Sequence, residues 1–197
     1  MMKIIDCSPT YKLDDSVLLS QEPIVLKGLV KHWPIVSQAK QSESAAKDYL
    51  ISLYNGRPIT VVRGEVENEG RVAYNECLSK LNCASFMTSL PEALELMLSE
   101  DNRLHYVGTT ATESIMPAFR QNNNLELEPK ANQFIWLGSR SCIPAHFDVP
   151  DNIACNVVGR RRFTLFPPEH LENLYVGPLD FTPAGQSISL VDVRKPD

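Results

Sequence analysis

After Asn102 the chain consists of short apolar runs separated by glycine, proline and asparagine residues. Each run has the length of a β-strand and is rich in the β-branched and aromatic residues that favour extended backbone. Four runs have this composition: residues 104–107, 133–137, 153–158 and 162–166. Several short strands with turn residues between them predict an antiparallel barrel or sandwich.

The first part of the chain has a mixed pattern. Two segments have apolar residues at helical spacing, and two others have the short apolar runs of strands. The helical segments are residues 42–54 and 89–99, and the strand segments are residues 23–30 and 59–63. We therefore predict a single, mainly β domain over residues 1–197. Its mixed α/β part covers about residues 1–130, and its second, β part begins at about residue 131.

The composition excludes several classes of protein. With 197 residues, 43% of them hydrophobic, and a net charge of −5, the chain is typical of soluble globular proteins and not of disordered ones. Its mild acidity gives no general attraction to DNA or to a membrane. The N-terminus reaches an acidic residue early and no long apolar stretch follows, so we predict a cytoplasmic protein. Five scattered cysteines without a Cys-x-x-Cys pair predict reduced thiols.

The segment from Ile143 to Asn152 contains the side chains that are best suited to metal binding or catalysis. In an extended strand His146 and Asp148 point the same way, while Phe147 points into packing on the other face. An imidazole and a carboxylate on one face are two of the three ligands of a 2-His-1-carboxylate centre, which suits Fe(II) and leaves positions open for a cosubstrate and dioxygen. The pair alone also fits a surface histidine beside a turn-capping aspartate.

A basic run follows this segment. Residues 157–169 have the pattern of a strand, a tight turn at Gly159, a basic strand and an exit through two prolines. A cation at the mouth of a barrel could hold the far carboxylate of a dicarboxylate cosubstrate. A nucleic-acid patch is the alternative, but on a strand Arg160 and Arg162 share one face and Arg161 takes the other, which divides the charge.

Three further features have plainer interpretations. Phe134 and Trp136 are expected to be core residues, and residues 122–124 are expected to form a polar loop. Asp151 either orients the His146 ring or is a turn residue.

Taken together, residues 144–148, the Asp151-Asn152 pair and residues 159–169 resemble the cupin-like Jumonji C (JmjC) family. Within it, the chain is similar to bacterial cupin-like proteins and, more distantly, to the asparaginyl hydroxylase called factor inhibiting HIF. The strand at residues 23–28 and the Trp33-Pro34 pair continue the similarity, which therefore covers nearly the whole chain.

The resemblance implies a double-stranded β-helix of the cupin, or jelly-roll, type with an Fe(II)- and 2-oxoglutarate-dependent oxygenase site. His146 and Asp148 match the first two iron ligands and are the expected catalytic residues. Arg161 matches a lysine that pairs with the C5 carboxylate of 2-oxoglutarate. Tyr106 matches a tyrosine that contacts the same carboxylate, and Asn152 matches an active-site asparagine. The implied substrate is a protein, a peptide or an RNA base.

The sequence departs from the family pattern at two points. The family's second iron-binding histidine lies on a late strand, whereas here no histidine follows His170, which is expected on a helical turn. His105 and His32 are expected to be structural or exposed. Ile143 replaces a threonine whose hydroxyl contacts the cosubstrate, and isoleucine cannot donate that hydrogen bond.

These departures leave several alternatives. The natural protein either continues beyond Asp197 and completes the site, which we expect because lost strands would expose barrel edges, or it ends there. A continuing protein could form a homodimer through a segment not present in this sequence. Besides a hydroxylase, the sequence fits a catalytically inactive cupin-like module that binds a protein partner. A third alternative is a metal-dependent cupin enzyme that does not use 2-oxoglutarate.

Overall fold

The computed structural model describes residues 2–7, 11–125, 131–180, 182–183 and 185–195. Six strands and six α-helices are present in these ranges. The strands are β1 (Lys3–Asp6), β2 (Ile24–Lys27), β3 (Ile59–Gly64), β4 (Cys83–Thr88), β5 (Leu104–Ala111) and β6 (Phe134–Gly138). The helices are α1 (Asp15–Leu18), α2 (Pro34–Gln41), α3 (Glu43–Leu53), α4 (Leu90–Leu98), α5 (Thr112–Ile115) and α6 (Phe119–Asn122). Two 3₁₀ segments cover Val66–Asn68 and Pro168–Leu174.

The main sheet has four antiparallel strands in the order β4-β3-β5-β6. Strand β5 lies inside the sheet, where Tyr106 is opposite Val62 on one side and Gly138 on the other. Strands β1 and β2 form a separate parallel pair. The predicted strands at residues 59–63, 104–107 and 133–137 are confirmed within one or a few residues.

Two predicted helices begin where their capping residues stand. The Ser42 hydroxyl accepts a hydrogen bond from the Ala45 N–H at 3.0 Å, which caps α3. Ser89 and Glu92 form a capping box at the start of α4, with each side chain accepting from the backbone N–H of the other. Such caps satisfy N–H groups that have no partner inside the helix.

The core lies between the main sheet and helices α2 to α6. Strand β3 contributes Ile59 and Val61, and β5 contributes Val107, each fully or almost fully buried. The helices and the segments before them cover these side chains with apolar residues: Trp33, Ile35, Ala46, Leu50, Leu90, Ala93, Leu94, Ile115, Met116 and Phe119. This core gives the sheet a fixed position, from which Tyr106 in β5 extends toward the segment that carries His146.

A buried asparagine joins the helices. The Asn123 amide oxygen accepts from the Ile35 N–H at 3.2 Å, and its nitrogen donates to the Tyr49 hydroxyl at 2.8 Å and to the Phe119 carbonyl at 3.0 Å. The expected polar loop is wrong for two of its residues, because Asn122 is exposed but ends helix α6 and Asn123 is completely buried. Because its amide oxygen and nitrogen both have hydrogen-bond partners, Asn123 can be buried in the core.

Two strand predictions are wrong. Residues 153–158 and 162–166 have no regular secondary structure, because no hydrogen-bonded neighbouring strand lies beside them in the described residues. Cys155 and Val157 nevertheless pack against the core, whereas Phe163 and Leu165 are exposed. Burial raises the pKa of the Cys155 thiol to about 11, as expected for a reduced, unreactive cysteine.

Phe134 and Trp136 were expected in the core, and this expectation is also wrong. Both side chains lie on the outer face of β6, where each is 40% exposed and their ring centroids are 6.2 Å apart. Ile135 and Leu137, which alternate with them along the strand, pack against the core instead. The position of the strand is therefore predicted correctly, but the side chains that face the core are Ile135 and Leu137 and not Phe134 and Trp136.

The segment after residue 174 folds back over the loop that follows β3. The Tyr74 hydroxyl donates to the Pro178 carbonyl at 2.6 Å, and the Arg71 guanidinium donates to the Leu190 carbonyl at 2.7 Å. Gly177 packs so closely on the Tyr74 ring that a β-carbon there would overlap it. In the part of the chain described, no helix is long and apolar enough to cross a membrane.

Candidate functional site

The segment that carries the candidate ligands is extended and is held by backbone hydrogen bonds at several points. The Cys142 N–H donates to the Gly70 carbonyl at 2.8 Å, and the Cys142 carbonyl accepts from the Val72 N–H. The Ala145 carbonyl accepts from the Ser189 N–H at 2.8 Å. These bonds fix the backbone immediately before His146 on two sides.

The His146 ring is oriented by its own backbone. Its Nδ1 atom lies 2.8 Å from the Pro144 carbonyl oxygen, which can only accept a hydrogen bond. The neutral ring therefore carries its proton on Nδ1 and presents the lone pair of Nε2, as in histidines that bind metals. That Nε2 atom lies 3.9 Å from Oδ1 of Asp148. The side chains of His146 and Asp148 are therefore neighbours on one side of the segment.

The Asp148 carboxylate is held from both sides. Oδ2 accepts from the Asn152 side-chain amide at 2.9 Å, and Oδ1 accepts from the Gln186 side-chain amide at 3.0 Å. Asn152 donates in addition to the Pro150 carbonyl at 3.3 Å, which ties its side chain to the turn. Asn152 therefore lies at the site through its contact with Asp148.

Tyr106 and Arg161 are brought together beside this pair. Burial raises the pKa of the Tyr106 hydroxyl, the positive charge of Arg161 opposes that increase, and the negative charge of Asp148 adds to it. The Arg161 guanidinium also lies over the Phe163 ring, 5.1 Å from its centroid. The structure thus brings all five predicted site residues into one region, although they come from a strand and two irregular segments.

His146 and Asp148 are candidate donors for a divalent metal ion. Adjacent donor atoms of one ion, at bond lengths of about 2.1 Å, lie about 3.0 Å apart, so the two side chains, now 3.9 Å apart, would come about 1 Å closer to bind the same ion. The side chains of His146 and Asp148 are 30% and 42% exposed, so other ligands have access. Among the described residues, no group of three or more His, Cys, Asp or Glu side chains is placed to hold a metal.

The remaining histidines lie elsewhere. His170 is on the exposed 3₁₀ segment after Pro167, where the sequence predicts it. His32 is exposed, and His105 is 1% exposed, with its Nε2 atom 3.8 Å from Oδ2 of Asp101. In the described part of the chain, the Nδ1 atom of His105 has no hydrogen-bond partner.

Two details of the site differ from expectation. Phe147 is 66% exposed and does not pack behind the ligands, because the segment belongs to no sheet that could cover its second face. Asp151 is not the residue that orients His146, since the Pro144 carbonyl occupies that position at Nδ1. Sequence reasoning missed Gln186 altogether, because a glutamine in a loop gives no local signal of its partner.

Two surface cavities lie away from the ligand pair. One of about 190 Å³ and one of about 430 Å³ are both lined by Arg71, Tyr74 and Asn75. The second also contains Asp192 and Arg194, which are paired with each other at 2.9 Å. His146 and Asp148 line neither of these two cavities.

Comparison with known proteins gives consistent matches. The family described as the cupin-like domain matches residues 10–197. JmjC domain-containing protein D of Dictyostelium discoideum is 24% identical over 220 aligned residues, which cover 100% of this chain and 46% of that protein. Lysine-specific demethylase 8 of Xenopus tropicalis is 22% identical over 202 residues, covering 98% of this chain and 41% of that protein. The chain therefore spans less than half the length of these relatives.

Proposed function

The chain belongs to the cupin-like domain family, and on this basis we propose that it forms part of an Fe(II)- and 2-oxoglutarate-dependent oxygenase. Its relatives are JmjC domain proteins, a group whose members generally depend on Fe(II) and 2-oxoglutarate. The proposed fold of the domain is a double-stranded β-helix, and the protein is proposed to be cytoplasmic.

The observation that carries the proposal is the relation between His146 and Asp148. Nδ1 of His146 is engaged with a carbonyl, and Nε2 lies 3.9 Å from Oδ1 of Asp148. An imidazole and a carboxylate placed in this way supply two of the three protein ligands of a facial triad. The chemistry that iron supplies there, when bound, is oxidation of a substrate C–H bond to C–OH by dioxygen, coupled to conversion of 2-oxoglutarate to succinate and CO₂.

The cosubstrate would be held by Arg161 and Tyr106. A guanidinium can form two parallel hydrogen bonds to a carboxylate, and a tyrosine hydroxyl can donate a third. The opposing effects of Arg161 and Asp148 on the pKa of Tyr106 support a location of all three within one electrostatic neighbourhood. Asn152 would hold Asp148 in place through its hydrogen bond to Oδ2.

The substrate in the proposal is large: a protein, a peptide or an RNA. The side chains of His146 and Asp148 are 30% and 42% exposed, which leaves them accessible to a segment of a macromolecule. Phe147 and Val149 on either side of Asp148 are exposed and could contact such a segment. A homodimer is part of the same proposal, as one way to complete the walls of the site.

The test is turnover of 2-oxoglutarate by the full chain in the presence of Fe²⁺ and dioxygen, measured as succinate formation. We expect the wild type to form succinate above the background of iron alone, and Asp148→Ala to fall to that background. Asp180→Ala, at an exposed position, is the matched control and should retain the wild-type rate. Equal rates for the wild type and Asp148→Ala would overturn the proposal.

A second function is favoured by one observation. Ile143 stands before the ligand segment and cannot donate a hydrogen bond to a cosubstrate. A cupin-like module that binds a protein partner without turnover would have no need of that donor. Ile143→Thr separates the two functions. An oxygenase should gain affinity for 2-oxoglutarate, whereas a module without a cosubstrate site should bind none in either form.

A further inference from the structure

We propose that Gln186 is a positioning residue that fixes the Asp148 carboxylate for metal binding. This inference rests on the proposed function. The Gln186 amide lies 3.0 Å from Oδ1, the same oxygen that faces Nε2 of His146. A carboxylate can only accept, so the contacting atom is the amide nitrogen acting as donor. Its hydrogen bond restricts rotation of the carboxylate about the Cβ–Cγ bond.

The contact lies close to a backbone hydrogen bond between the two segments. The Ser189 N–H donates to the Ala145 carbonyl at 2.8 Å. Gln186 is three residues before Ser189, and Asp148 is three residues after Ala145. The backbone bond therefore holds the two segments side by side near the point where the Gln186 amide reaches Asp148.

The segment that carries Gln186 is well anchored. Ser187, Ile188 and Ser189 are buried directly after it. The Ile188 carbonyl accepts from the Gly177 N–H at 3.0 Å, on the side away from the ligand segment. Before it, Gly185 adopts φ of +97°, a conformation that favours glycine, and its N–H donates to the Thr182 hydroxyl at 2.7 Å. Gln186 therefore reaches Asp148 from a fixed backbone.

The two oxygens of Asp148 have different donors, and this gives Gln186 a distinct role. Asn152 is four residues away along the chain and binds Oδ2, so the ligand segment supplies that contact itself. Gln186 is 38 residues away and binds the oxygen nearest the imidazole. Because an oxygen has two lone pairs, Oδ1 can accept from Gln186 and still offer a lone pair toward His146. Partners of this kind typically change metal affinity about 10–100-fold.

The experiment measures Co²⁺ affinity of the full chain by calorimetry. Gln186→Met keeps the length of the side chain and removes the donor, and we expect it to weaken Co²⁺ binding about 10–100-fold at an unchanged melting temperature. Gln21→Met, at an exposed position, is the matched control and should bind like the wild type. Equal affinity of Gln186→Met and the wild type would overturn the role of Gln186 and leave the proposed function intact.

A second measurement does not depend on the metal. In the metal-free chain, the ¹⁵N-labelled side-chain amide of Gln186 should give a signal displaced from that of a free glutamine amide, and Asp148→Ala should return it to the free position. A Gln186 amide signal whose position does not change in Asp148→Ala would overturn the proposal. A wild-type chain that binds no Co²⁺ would overturn both the proposed function and the role of Gln186.

Discussion

The positive charge of Arg161 acts on the Tyr106 hydroxyl, and it opposes the effect of burial on the pKa of that group. Tyr106 is fixed in β5 by its neighbours on β3 and β6, whereas Arg161 lies in an irregular exposed segment. Electrostatic contact between the two therefore connects the rigid sheet to the basic run. The proposed binding of one cosubstrate carboxylate by Arg161 and Tyr106 requires such a contact.

Removing the charge of Arg161 should change Tyr106. Arg161→Met removes the group that lowers the pKa of Tyr106, so this pKa should rise further above its ordinary value. A pH titration of ¹³C-labelled tyrosine by NMR measures the change. Arg160→Met, one position away and also exposed, is the matched control and should leave Tyr106 unchanged. The same titration curve for Arg161→Met and the wild type would show that the two groups do not interact.

The same substitution should weaken cosubstrate binding. A charge-assisted hydrogen bond to a carboxylate contributes about 1.5–3 kcal/mol, so Arg161→Met should lower the affinity for 2-oxoglutarate about 10–100-fold. Arg161→Lys keeps one charged donor and should lose less. Calorimetry in the presence of Mn²⁺ provides the measurement, with Arg160→Met again as control. Arg160→Met weakening binding as strongly as Arg161→Met would assign the effect to general charge.

Asn123 should be important for stability. Asn123→Ala leaves the Ile35 N–H without its acceptor inside the core, and a buried unsatisfied group costs about 1–3 kcal/mol. The free energy of unfolding in urea should fall by that amount. Asn122→Ala changes the same residue type at an exposed neighbouring position and should have little effect. Similar losses for both variants would contradict a specific role of the buried amide.

Asp192 gives a pH dependence of known sign. The Arg194 guanidinium, which donates hydrogen bonds to this carboxylate, lowers the pKa of Asp192 to about 2. A lowered folded-state pKa contributes stability that is complete above about pH 4 and is lost as the pH falls toward about 2. Asp192→Asn should therefore lower the free energy of unfolding by about 1 kcal/mol near neutral pH, after allowance for solvent screening.

Urea unfolding at a series of pH values measures this effect. The difference between wild type and Asp192→Asn should shrink as the pH is lowered from 5 toward about 2. Asp48→Asn, at an exposed position on α3, is the control and should not show this trend. A difference that stays constant over the whole range would contradict the role of the Asp192 charge.

Local patterns in the sequence predict much of this fold. The helices α3 and α4 begin at Ser42 and Ser89 because a side-chain cap is a local signal. Strands β3, β5 and β6 are evident from their apolar runs. Residues 153–158 and 162–166 have the same apolar composition but are not strands, because no described strand lies beside them and strand pairing depends on residues far away in the sequence. Strand β4, whose residues alternate less clearly, was missed.

The site is predictable to the extent that its contacts are local. The spacing of His146 and Asp148 brings them together because the segment is extended, and Asn152 reaches Asp148 across one turn. Gln186 could not be predicted, because its place beside Asp148 depends on how a later segment packs. The contact between the Pro144 carbonyl and the His146 ring could not be predicted either, because every residue has a carbonyl and the sequence does not show which one the ring approaches.

In the proposed site His146 and Asp148 bind iron together, and anaerobic titration of the chain with Fe²⁺ in the presence of 2-oxoglutarate would test this. Visible absorption of the iron chelate reports binding. We expect saturable absorption for the wild type and for His170→Ala, whose histidine lies on the exposed 3₁₀ segment, and none for His146→Ala or Asp148→Ala. Absorption of His146→Ala equal to that of the wild type, or no absorption of the wild type, would contradict iron binding by His146 and Asp148.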